Sequence, residues 1–404
     1  MRDVLTRAVV EKGLSWPEKA SIEPPKEKAH GDLASNVALI LAKQAKMPPR
    51  DLAQTLADEV MQAGPMVAKA EVAGPGFVNV FLAPTFWQQT VPDVGTQAES
   101  YGCGQWGEGT RVQVEYVSAN PTGPLHIGHG RGAAVGDSLA RILRAAGYEV
   151  STEYYLNDAG RQMTLLGRSI WARYQQACAR RVDVPESGYQ GAYIQDLAQA
   201  LLAEKGTELL DMPEDDAVAL CRDFGVEHIL DGIKADLQNF RTEHEVWFSE
   251  KSLVQTGAVE QTLGDLQDSG LAYTQDGALW FATTSFGDDK DRVLRKSDGE
   301  LTYFASDIAY HAHKYSRGFD MCIDVWGADH HGYVPRMRAA VQALGRQAEN
   351  FQVVLIQLVN LLRQGEQVAM STRAGQFETL ADVVTEVGTD ACRLICITRK
   401  SNSS

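Results

Sequence analysis

The sequence contains no apolar stretch that approaches the roughly 18 consecutive residues of a membrane-spanning helix. Residues 1–13 (MRDVLTRAVVEKG) also lack the continuous apolar core of a secretory signal peptide, and their pattern predicts an amphipathic helix instead. We therefore expect a protein that has no membrane segment and no secretory leader.

Cysteine is scarce and scattered, since the chain has 6 cysteines and no C-x-x-C pair. Cys392 and Cys396 lie four residues apart on a predicted helix, a spacing that favours packing over chemistry. The absence of a disulfide framework is typical of a reducing compartment, so we expect the protein to be cytoplasmic.

Basic residues are outnumbered, because 38 Lys and Arg face 53 Asp and Glu, and the formal net charge is −15. A field of this sign opposes non-specific binding to nucleic acid. Local basic tracks such as Arg180–Arg181 can exist on an acidic body, but composition alone does not support RNA binding. With 44% hydrophobic residues, the 404-residue chain is ordinary globular material, long enough for about two or three domains.

The most informative stretch is residues 112–146, which reads as strand, loop and helix. Val112 and Val114 alternate with polar residues and predict a strand. The prolines and glycine of residues 121–124 break this pattern, and apolar residues recur at helical spacing from Ile127 onward. The loop therefore delivers its polar residues to the N-terminus of a helix.

His126, Gly128 and His129 lie at this helix start, where unpaired N–H groups and a positive partial charge suit a phosphate. The glycine allows a base or a phosphate to approach the backbone closely. Three other interpretations remain open at this point. The stretch also resembles a dinucleotide loop with the wrong glycine spacing, the histidines could bind a metal although no further ligands lie nearby, and the whole could be a plain glycine-rich turn.

A second strand is predicted at residues 149–155, directly after this helix, so the region forms a right-handed βαβ unit. We expect an α/β fold with a doubly wound parallel sheet, which is Rossmann-like and binds nucleotide. Ligands of such sheets bind beyond the carboxyl ends of the strands, where His126 and His129 emerge.

The remaining chain divides by pattern into further parts. Residues 1–95 read as a separate α/β domain, residues 84–106 as a linker, and residues 96–404 as the main domain. Residues 175–270 are acidic and largely helical, and they predict an insertion between the two halves of the nucleotide fold.

Two later segments carry candidate site residues. A predicted helix begins near Phe304, and Tyr303 and Asp307 are four residues apart at its start, so both can face one pocket. A buried strand is predicted before Gly327, and a glycine followed by Asp329 at its carboxyl end can approach a ribose and accept from its hydroxyls. The adjacent histidines, including His330, again allow a metal interpretation.

Residues 119–129 (ANPTGPLHIGH) resemble the HIGH signature of class I aminoacyl-tRNA synthetases, and the longer run 114–131 resembles the arginyl-tRNA synthetase version. Four further stretches are similar to the same family, keep its order and span most of the chain: residues 28–43, 277–311, 325–336 and 369–393. A four-letter match is weak evidence, whereas five ordered blocks are specific.

The resemblance implies an arginine–tRNA ligase of the bacterial type that forms arginyl-adenylate from ATP and L-arginine and transfers arginine to tRNA(Arg). ATP would arrive with Mg²⁺, and we expect no tightly bound protein metal, no membrane contact and a monomer. Residues 1–95 would contact the outer corner of tRNA.

The resemblance also implies a set of site residues, matched position by position. The catalytic residues would be His126, His129 and Arg373. The ATP-binding residues would be Gly128, Gly327, Asp329, His330, Met370 and Ser371. The arginine-binding residues would be Glu115, Asn120, Tyr303 and Asp307. Carboxylates suit this substrate because guanidinium is a rigid fork of five donors.

The chain departs from the family in two places. The loop that usually reads K-M-S-K is here Ala369-Met-Ser-Thr-Arg373, which has lost both lysines and keeps only Arg373 as a cation. The family also continues into a helical anticodon-binding domain, which we expect this chain to lack. Two alternatives therefore stay open: a non-catalytic tRNA-binding or regulatory remnant, and another class I-like adenylyl-forming enzyme.

Overall fold

The structure is a computed structural model that describes residues 1–357, 359, 361–363, 366–367 and 378–398. The chain divides into two compact units, Met1–Cys103 and Gly104–Ser404. Each unit has its own hydrophobic core and is described by itself.

The N-terminal unit packs three helices on a four-stranded antiparallel sheet of order β1-β2-β4-β3. Its elements are α1 (Arg2–Glu11), β1 (Ile22–Glu23), β2 (Leu33–Ser35), α2 (Val37–Ala45), α3 (Pro49–Gln62), β3 (Val67–Ala73), β4 (Phe77–Leu82) and α4 (Pro84–Gln97). Leu5 of α1, Leu41 of α2 and Leu56 of α3 are fully buried together. Gly74 turns β3 into β4 with a positive φ of 52°, as its lack of a side chain permits.

The segment after this sheet is helical. Residues 84–106 were predicted to link the first domain to the main domain, and they contain the helix α4 at Pro84–Gln97. Pro84 occupies the first turn, where a missing N–H costs no hydrogen bond. A proline at such a position therefore starts a helix instead of preventing one.

The larger unit is built on a five-stranded, all-parallel sheet of order β12-β11-β5-β6-β7. The strands are β5 (Arg111–Glu115), β6 (Glu149–Leu156), β7 (Val246–Ser249), β11 (Met321–Gly327) and β12 (Phe351–Ile356). The chain winds outward from β5 through β6 in one direction and returns to β11 on the other side. This confirms the doubly wound fold and places the topological switch point between β5 and β11.

Both faces of this sheet are covered, which explains the apolar strands. Helix α5 (Ile127–Ala145) packs over Val112 and Val114 on one face, and α11 (Tyr303–Ser316) packs over the opposite face with Cys322 and Phe351. The carboxyl ends of β5 and β11 therefore open between two helical layers.

The helices α6 (Arg161–Ala177), α7 (Ala192–Lys205) and α8 (Glu214–Asn239) lie between β6 and β7 and share one core. After β7 come α9 (Glu250–Gln255), α10 (Ala258–Asp268) and a small antiparallel sheet of β8 (Ala272–Gln275), β9 (Ala278–Phe281) and β10 (Arg292–Arg295). The chain continues through α11, β11, α12 (Val334–Ala343), β12, β13 (Leu362–Arg363), β14 (Glu366–Gln367), α13 (Leu380–Val387) and α14 (Thr389–Thr398).

Arg393 of α14 connects the end of the described chain to α5, the helix that follows β5. Its guanidinium donates to Asp137 of α5 at 2.5 Å and to the carbonyl of Phe240 at 3.0 Å. Among the described residues, no helix is long and apolar enough to cross a membrane.

Candidate active site

Three acidic residues stand side by side across the middle of the parallel sheet. Asp324 of β11 is in register with Glu115 of β5, and Glu115 is in register with Glu153 of β6. Residues paired in this way point to the same face, which here is the face covered by α11. Each of the three is at most 8% exposed, so the row needs compensating cations or donors.

Helix α11 and the residue that follows it supply those partners. Lys314, which is fully buried, donates to Glu115 at 2.6 Å and to Asp324 at 2.8 Å. Arg317 holds Glu153 with both guanidinium nitrogens, at 2.5 and 2.9 Å.

Two further α11 side chains complete the row. Tyr310 donates to Glu153 at 2.5 Å. Both ring nitrogens of His311 face oxygen acceptors, the Asp307 carbonyl at 2.8 Å and the Asp324 carboxylate at 3.2 Å.

Burial and charge oppose each other in this cluster. Burial alone would lower the pKa of Lys314, but Asp324 and Glu115 outweigh it and raise that pKa well above its ordinary value. Burial alone would raise the pKa of Asp324, but Lys314 and His311 hold it at about 2. For Glu115 burial prevails and raises the pKa, although Lys314 opposes it. The single ammonium therefore serves two carboxylates and compensates Glu115 only in part.

A cavity of about 300 Å³ opens beside this cluster, at the carboxyl ends of β5, β6 and β11. It is lined by Glu115, Val117, Ser118, Asn120, Tyr155, Asn157, Asp307, Tyr310, His311, Asp324, Val325, Trp326, Gly327, His330, Tyr333 and Met337. This is the position at which open α/β sheets bind ligands. The arginine-binding residues predicted from sequence, Glu115, Asn120 and Asp307, are thus brought together.

Asp307 is the carboxylate of this cavity that lacks a cation. Its side chain accepts a short hydrogen bond from the hydroxyl of Tyr333, and among the described residues no lysine or arginine side chain hydrogen-bonds to it. Burial raises its pKa, while the Tyr333 hydroxyl acts in the opposite direction. A ligand cation that reached this carboxylate would find it desolvated and already oriented.

The strand end that carries Glu115 is locally strained. Val117 and Ser118 have positive φ values of 69° and 41°, which is unusual for a β-branched residue. The resulting turn lets the Ser118 hydroxyl donate to Glu115 at 2.9 Å and accept from the Tyr155 N–H at 3.1 Å. Asn120, just beyond, donates to Gln162 at 2.8 Å. Strain of this kind is found where backbone geometry positions functional groups.

The two signature histidines form a stacked pair at the start of α5, with ring centroids 3.7 Å apart. His126 Nδ1 accepts from the Gly128 N–H at 3.1 Å, and His129 Nδ1 accepts from the His126 N–H at 3.2 Å. An imidazole whose Nδ1 accepts carries its proton on Nε2. Both rings therefore present an Nε2–H donor.

Burial also keeps the pair neutral. It lowers the pKa of His126, and it lowers the pKa of His129 to about 3, with the neighbouring His126 adding to the effect. With Nδ1 of both rings committed to backbone donors, the pair is poorly arranged to bind a metal. Within the described ranges, no group of three or more His, Cys, Asp or Glu side chains could hold one.

The histidines and the cavity lie at the same edge of the sheet, because both follow the carboxyl end of β5. Asn120 lines the cavity and precedes His126 by a short loop, but neither histidine is part of the lining. The loop is also tied to α13, since the Leu380 N–H donates to the Leu125 carbonyl at 2.7 Å and Thr379 pairs with His126.

Only some of the other residues predicted from sequence line the cavity. Gly327 and His330 line the cavity, whereas the exposed Asp329 contacts His330 at 3.5 Å and does not line it. Tyr303 is 76% exposed and lies outside the cavity, so it does not face one pocket with Asp307 as the spacing predicted. The first turn of α11 leaves it in solvent, and Tyr333, just before α12, contacts Asp307 instead. Met370, Ser371 and Arg373 lie outside the described residues.

Sequence reasoning missed Lys314, His311, Asp324 and Tyr333. Two signals could have found three of them. Asp307, His311 and Lys314 recur at four- and three-residue spacing on one face of the predicted helix. Asp324 is a charged residue inside an otherwise apolar strand, which demands a buried partner.

Comparison with known proteins identifies the family. The profile "tRNA synthetases class I (R), catalytic domain" matches residues 90–403, and "Arginyl tRNA synthetase N terminal domain" matches residues 1–82. An arginine–tRNA ligase of Oleidesulfovibrio alaskensis is 60% identical over 404 residues, which is 100% of this chain and 73% of that protein. The chain belongs to the arginyl-tRNA synthetases.

Other relatives agree with this assignment. An arginine–tRNA ligase of Lawsonia intracellularis is 54% identical over 97% of this chain and 71% of its own length. A solved arginyl-tRNA synthetase structure from Campylobacter jejuni has 41% identity and a TM-score of 0.74, and the match covers 80% of this chain and 70% of that one. The Thermus thermophilus enzyme has the same fold at 22% identity, with a TM-score of 0.66 over 98% of this chain and 73% of that one.

Membership in this family confirms the resemblance drawn from the sequence blocks. It is a family of ATP-dependent aminoacyl-tRNA ligases, so the substrate classes are ATP, an amino acid and tRNA. The comparisons give no support to a non-catalytic remnant or to a different adenylyl-forming enzyme.

Proposed function

We propose that this chain activates L-arginine with ATP and passes the arginyl group to the terminal ribose of tRNA(Arg), using the cavity and the stacked histidines described above. The arginine carboxylate attacks the α-phosphorus of ATP, the bond to the β-phosphate oxygen breaks, and pyrophosphate leaves. A ribose hydroxyl then attacks the arginyl carbonyl and releases AMP. Neither step needs a covalent enzyme intermediate.

The observation that carries the arginine assignment is the uncompensated Asp307 carboxylate in a cavity. Guanidinium is a planar group that can donate two hydrogen bonds to one carboxylate, whereas a lysine ammonium is a single point charge. Glu115 and Asn120 line the same cavity and match the family positions that hold the α-amino and carboxylate ends of the substrate. The cavity thus offers acceptors for both the guanidinium group and the α-amino group of arginine.

The stacked histidines suit the triphosphate. Two neutral Nε2–H donors lie beside the first turn of α5 and can approach phosphoryl oxygens. A charged imidazolium would bind the triphosphate equally well in the ground state and in the transition state, whereas a neutral donor avoids this uniform binding. Negative charge develops on the oxygens as pyrophosphate departs, and preorganised donors then stabilise it. ATP would enter as its Mg²⁺ complex, with Gly128, Gly327, Asp329 and His330 nearest the nucleotide.

Three further residues of the proposed site lie outside the described residues and are assigned from the sequence alone. Arg373 would be the cation for the departing pyrophosphate, and Met370 and Ser371 would lie at the nucleotide. Thr379, which follows them in sequence, pairs with His126. This pairing supports assigning the three residues to the same site as the histidines.

We further propose that the enzyme works as a cytoplasmic monomer and that residues 1–95 contact the outer corner of tRNA. The six cysteines are free in the structure, and free cysteines are typical of a protein in a reducing compartment. The acidic total charge makes specific contacts, and not a general field, responsible for tRNA binding.

The deciding assay is ATP–pyrophosphate exchange with tRNA(Arg) present. Exchange should require arginine and should not be supported by lysine. tRNA must be included, because the family usually needs it for activation. No arginine-dependent exchange, with folded protein and tRNA present, would contradict the proposed activity.

The substitution Asp307→Asn tests the arginine assignment. Removing one partner of a buried charge pair costs about 2–5 kcal/mol, so arginine affinity should fall roughly 30-fold or more. The KM for ATP should stay unchanged. The measurement is the dependence of exchange on arginine and on ATP.

Two tyrosine variants refine this experiment. Tyr333→Phe removes the hydroxyl that Asp307 accepts from, and a hydrogen bond to a charged group is worth about 1.5–3 kcal/mol, so arginine affinity should fall about tenfold or more. Tyr303→Phe should change it less, because that ring lies outside the cavity. An equal loss in both variants would mean that Tyr303 moves inward when arginine binds.

A further inference from the structure

The three buried acids in register across β11, β5 and β6 do not have equal compensation. Glu153 has Arg317 to itself at 2.5 and 2.9 Å, and Asp324 has both Lys314 and His311. Glu115, in the middle, shares the Lys314 ammonium with Asp324. Of these three carboxylates, Glu115 is therefore the one whose charge depends most on a shared cation.

Among the described residues, the Lys314 ammonium hydrogen-bonds only to these two carboxylates. Lys314 is fully buried, its ammonium lies 4.5 Å from the centroid of the Tyr310 ring, and it donates to Glu115 and Asp324. It does not line the cavity, so it cannot touch a bound substrate without displacement. A buried lysine costs free energy unless its charge is used by its neighbours.

We propose that Lys314 is a positioning residue for arginine, which holds the Glu115 carboxylate charged and oriented toward the cavity. Lys314 takes one carboxylate oxygen at 2.6 Å and the Ser118 hydroxyl takes the other at 2.9 Å. These two bonds fix the plane of the carboxylate and leave a second lone pair on each oxygen for a substrate cation. The inference rests on the proposed arginine site.

The charge on Glu115 is set by its neighbours on three elements. They are Tyr310, His311 and Lys314 of α11, Asp324 of β11, and Glu153 and Tyr155 of β6. Removing Lys314 leaves two carboxylates in register without a shared cation. Like charges this close, in a desolvated site, do not both stay ionised at neutral pH.

The test is the pH dependence of arginine binding in Lys314→Met, measured by calorimetry and expressed as the ratio of its Kd to that of the wild type. This ratio cancels the titration of arginine itself. At about pH 7 the variant should bind arginine about tenfold more weakly or worse, and the ratio should fall as the pH is raised to about 9, since Glu115 then ionises. A ratio that does not change with pH would overturn the proposal.

A matched control removes the other cation that faces the same row. Arg317→Met removes the cation of Glu153, which does not line the cavity and still accepts from the Tyr310 hydroxyl, while Glu115 keeps Lys314. This variant should therefore be less stable, but its arginine Kd ratio should stay nearly independent of pH. If Arg317→Met produced the same alkaline recovery as Lys314→Met, general loosening would explain both, and the assignment to Lys314 would fail.

A second variant guards against failure to fold. Lys314→Met combined with Asp324→Asn removes one charge of each sign, so the excess of buried negative charge does not increase. Glu115 still lacks its cation in a desolvated site, and burial, the largest cause of its raised pKa, remains although the repulsion from Asp324 is gone. The alkaline recovery of arginine binding should therefore persist. A pH-independent ratio in this double variant would also overturn the proposal.

These outcomes are separable from the proposed activity. If the wild-type protein binds arginine but gives no tRNA-dependent exchange, the proposed ligase activity is wrong. The role of Lys314 is then still decided by the arginine Kd ratios. Wild-type exchange with a pH-independent Kd ratio would leave the ligase proposal intact and remove the role given to Lys314.

Discussion

The two signature histidines illustrate how much of this site is decided at the scale of single atoms. Each Nδ1 accepts from a backbone N–H, and each ring is thereby left with one proton, on Nε2. The sequence indicated that His126 and His129 stand at a helix start, but it left open whether they act as neutral or cationic donors. The hydrogen bonds and burial favour the neutral form.

The role of His129 can be tested with two isosteric amides. His129→Asn keeps an acceptor near the Nδ1 position and loses the outward donor, so exchange should slow by about 10²–10³ with a smaller change in the KM for ATP. His129→Gln keeps a donor near the Nε2 position and should retain more activity. If the two variants lose equal activity, the donor is not the contributing group.

The pH dependence of this step follows from the same contacts. Because the pKa of His129 is lowered to about 3, its ring is neutral in the folded protein at every pH above that value. The rate of exchange between about pH 6 and about pH 8 should therefore not follow the ordinary titration of a histidine.

At the scale of elements, the approach of α5 to the end of β5 determines where the histidines stand. Gly136 of α5 faces Tyr116, and a Cβ at this position would lie 2.2 Å from the Tyr116 ring. Tyr116 cannot yield, since it is fully buried and its hydroxyl donates to the Glu243 carbonyl at 2.9 Å. The helix therefore needs a residue without a side chain here.

The substitution Gly136→Ala should destabilise the protein by about 1–3 kcal/mol, the usual cost of overpacking, and should also slow exchange by shifting the start of α5. The matched control is Gly232→Ala on α8, where a Cβ meets nothing within 4 Å. That change should stabilise by about 0.5–1 kcal/mol, because alanine favours a helix. Thermal or urea unfolding of both variants provides the measurement, and equal stabilities would contradict the packing argument.

At the scale of the whole molecule, the cavity that we propose for arginine belongs to one unit alone. Its lining residues all lie within Gly104–Ser404, and the core of Met1–Cys103 is formed by its own helices and sheet. The boundary near residue 95 drawn from sequence remains a proposal, as does the tRNA contact assigned to the first domain.

We expect a fragment of residues 1–103 to fold cooperatively by itself, because its apolar cluster is complete without the rest of the chain. Residues 104–404 should bind arginine with unchanged affinity and tRNA more weakly. Calorimetry with arginine and a binding titration with tRNA separate the two effects. A loss of arginine affinity as large as that of Asp307→Asn would show that the units are not independent.

The sequence by itself determined the family, the doubly wound sheet and five of the sixteen residues that line the cavity. These features are local: a strand, a loop with two prolines and a helix start follow one another in the chain, and ordered blocks can be recognised without coordinates. Glu115, Asn120 and Asp307 were found in this way. The linker predicted at residues 84–106 was drawn without the helix that begins at Pro84, because sequence does not reveal whether a proline stands inside a helix or in its first turn.

Only the tertiary structure decided which charges meet. Lys314 and Glu115 are separated by 199 residues, and Asp324 reaches the same ammonium only because β11 lies beside β5. Likewise, Tyr333 and not Tyr303 contacts Asp307, since helical spacing permits a contact but packing chooses which ring is buried. Compensation of buried charge depends on distances between strands and helices, and these distances are set by the fold as a whole.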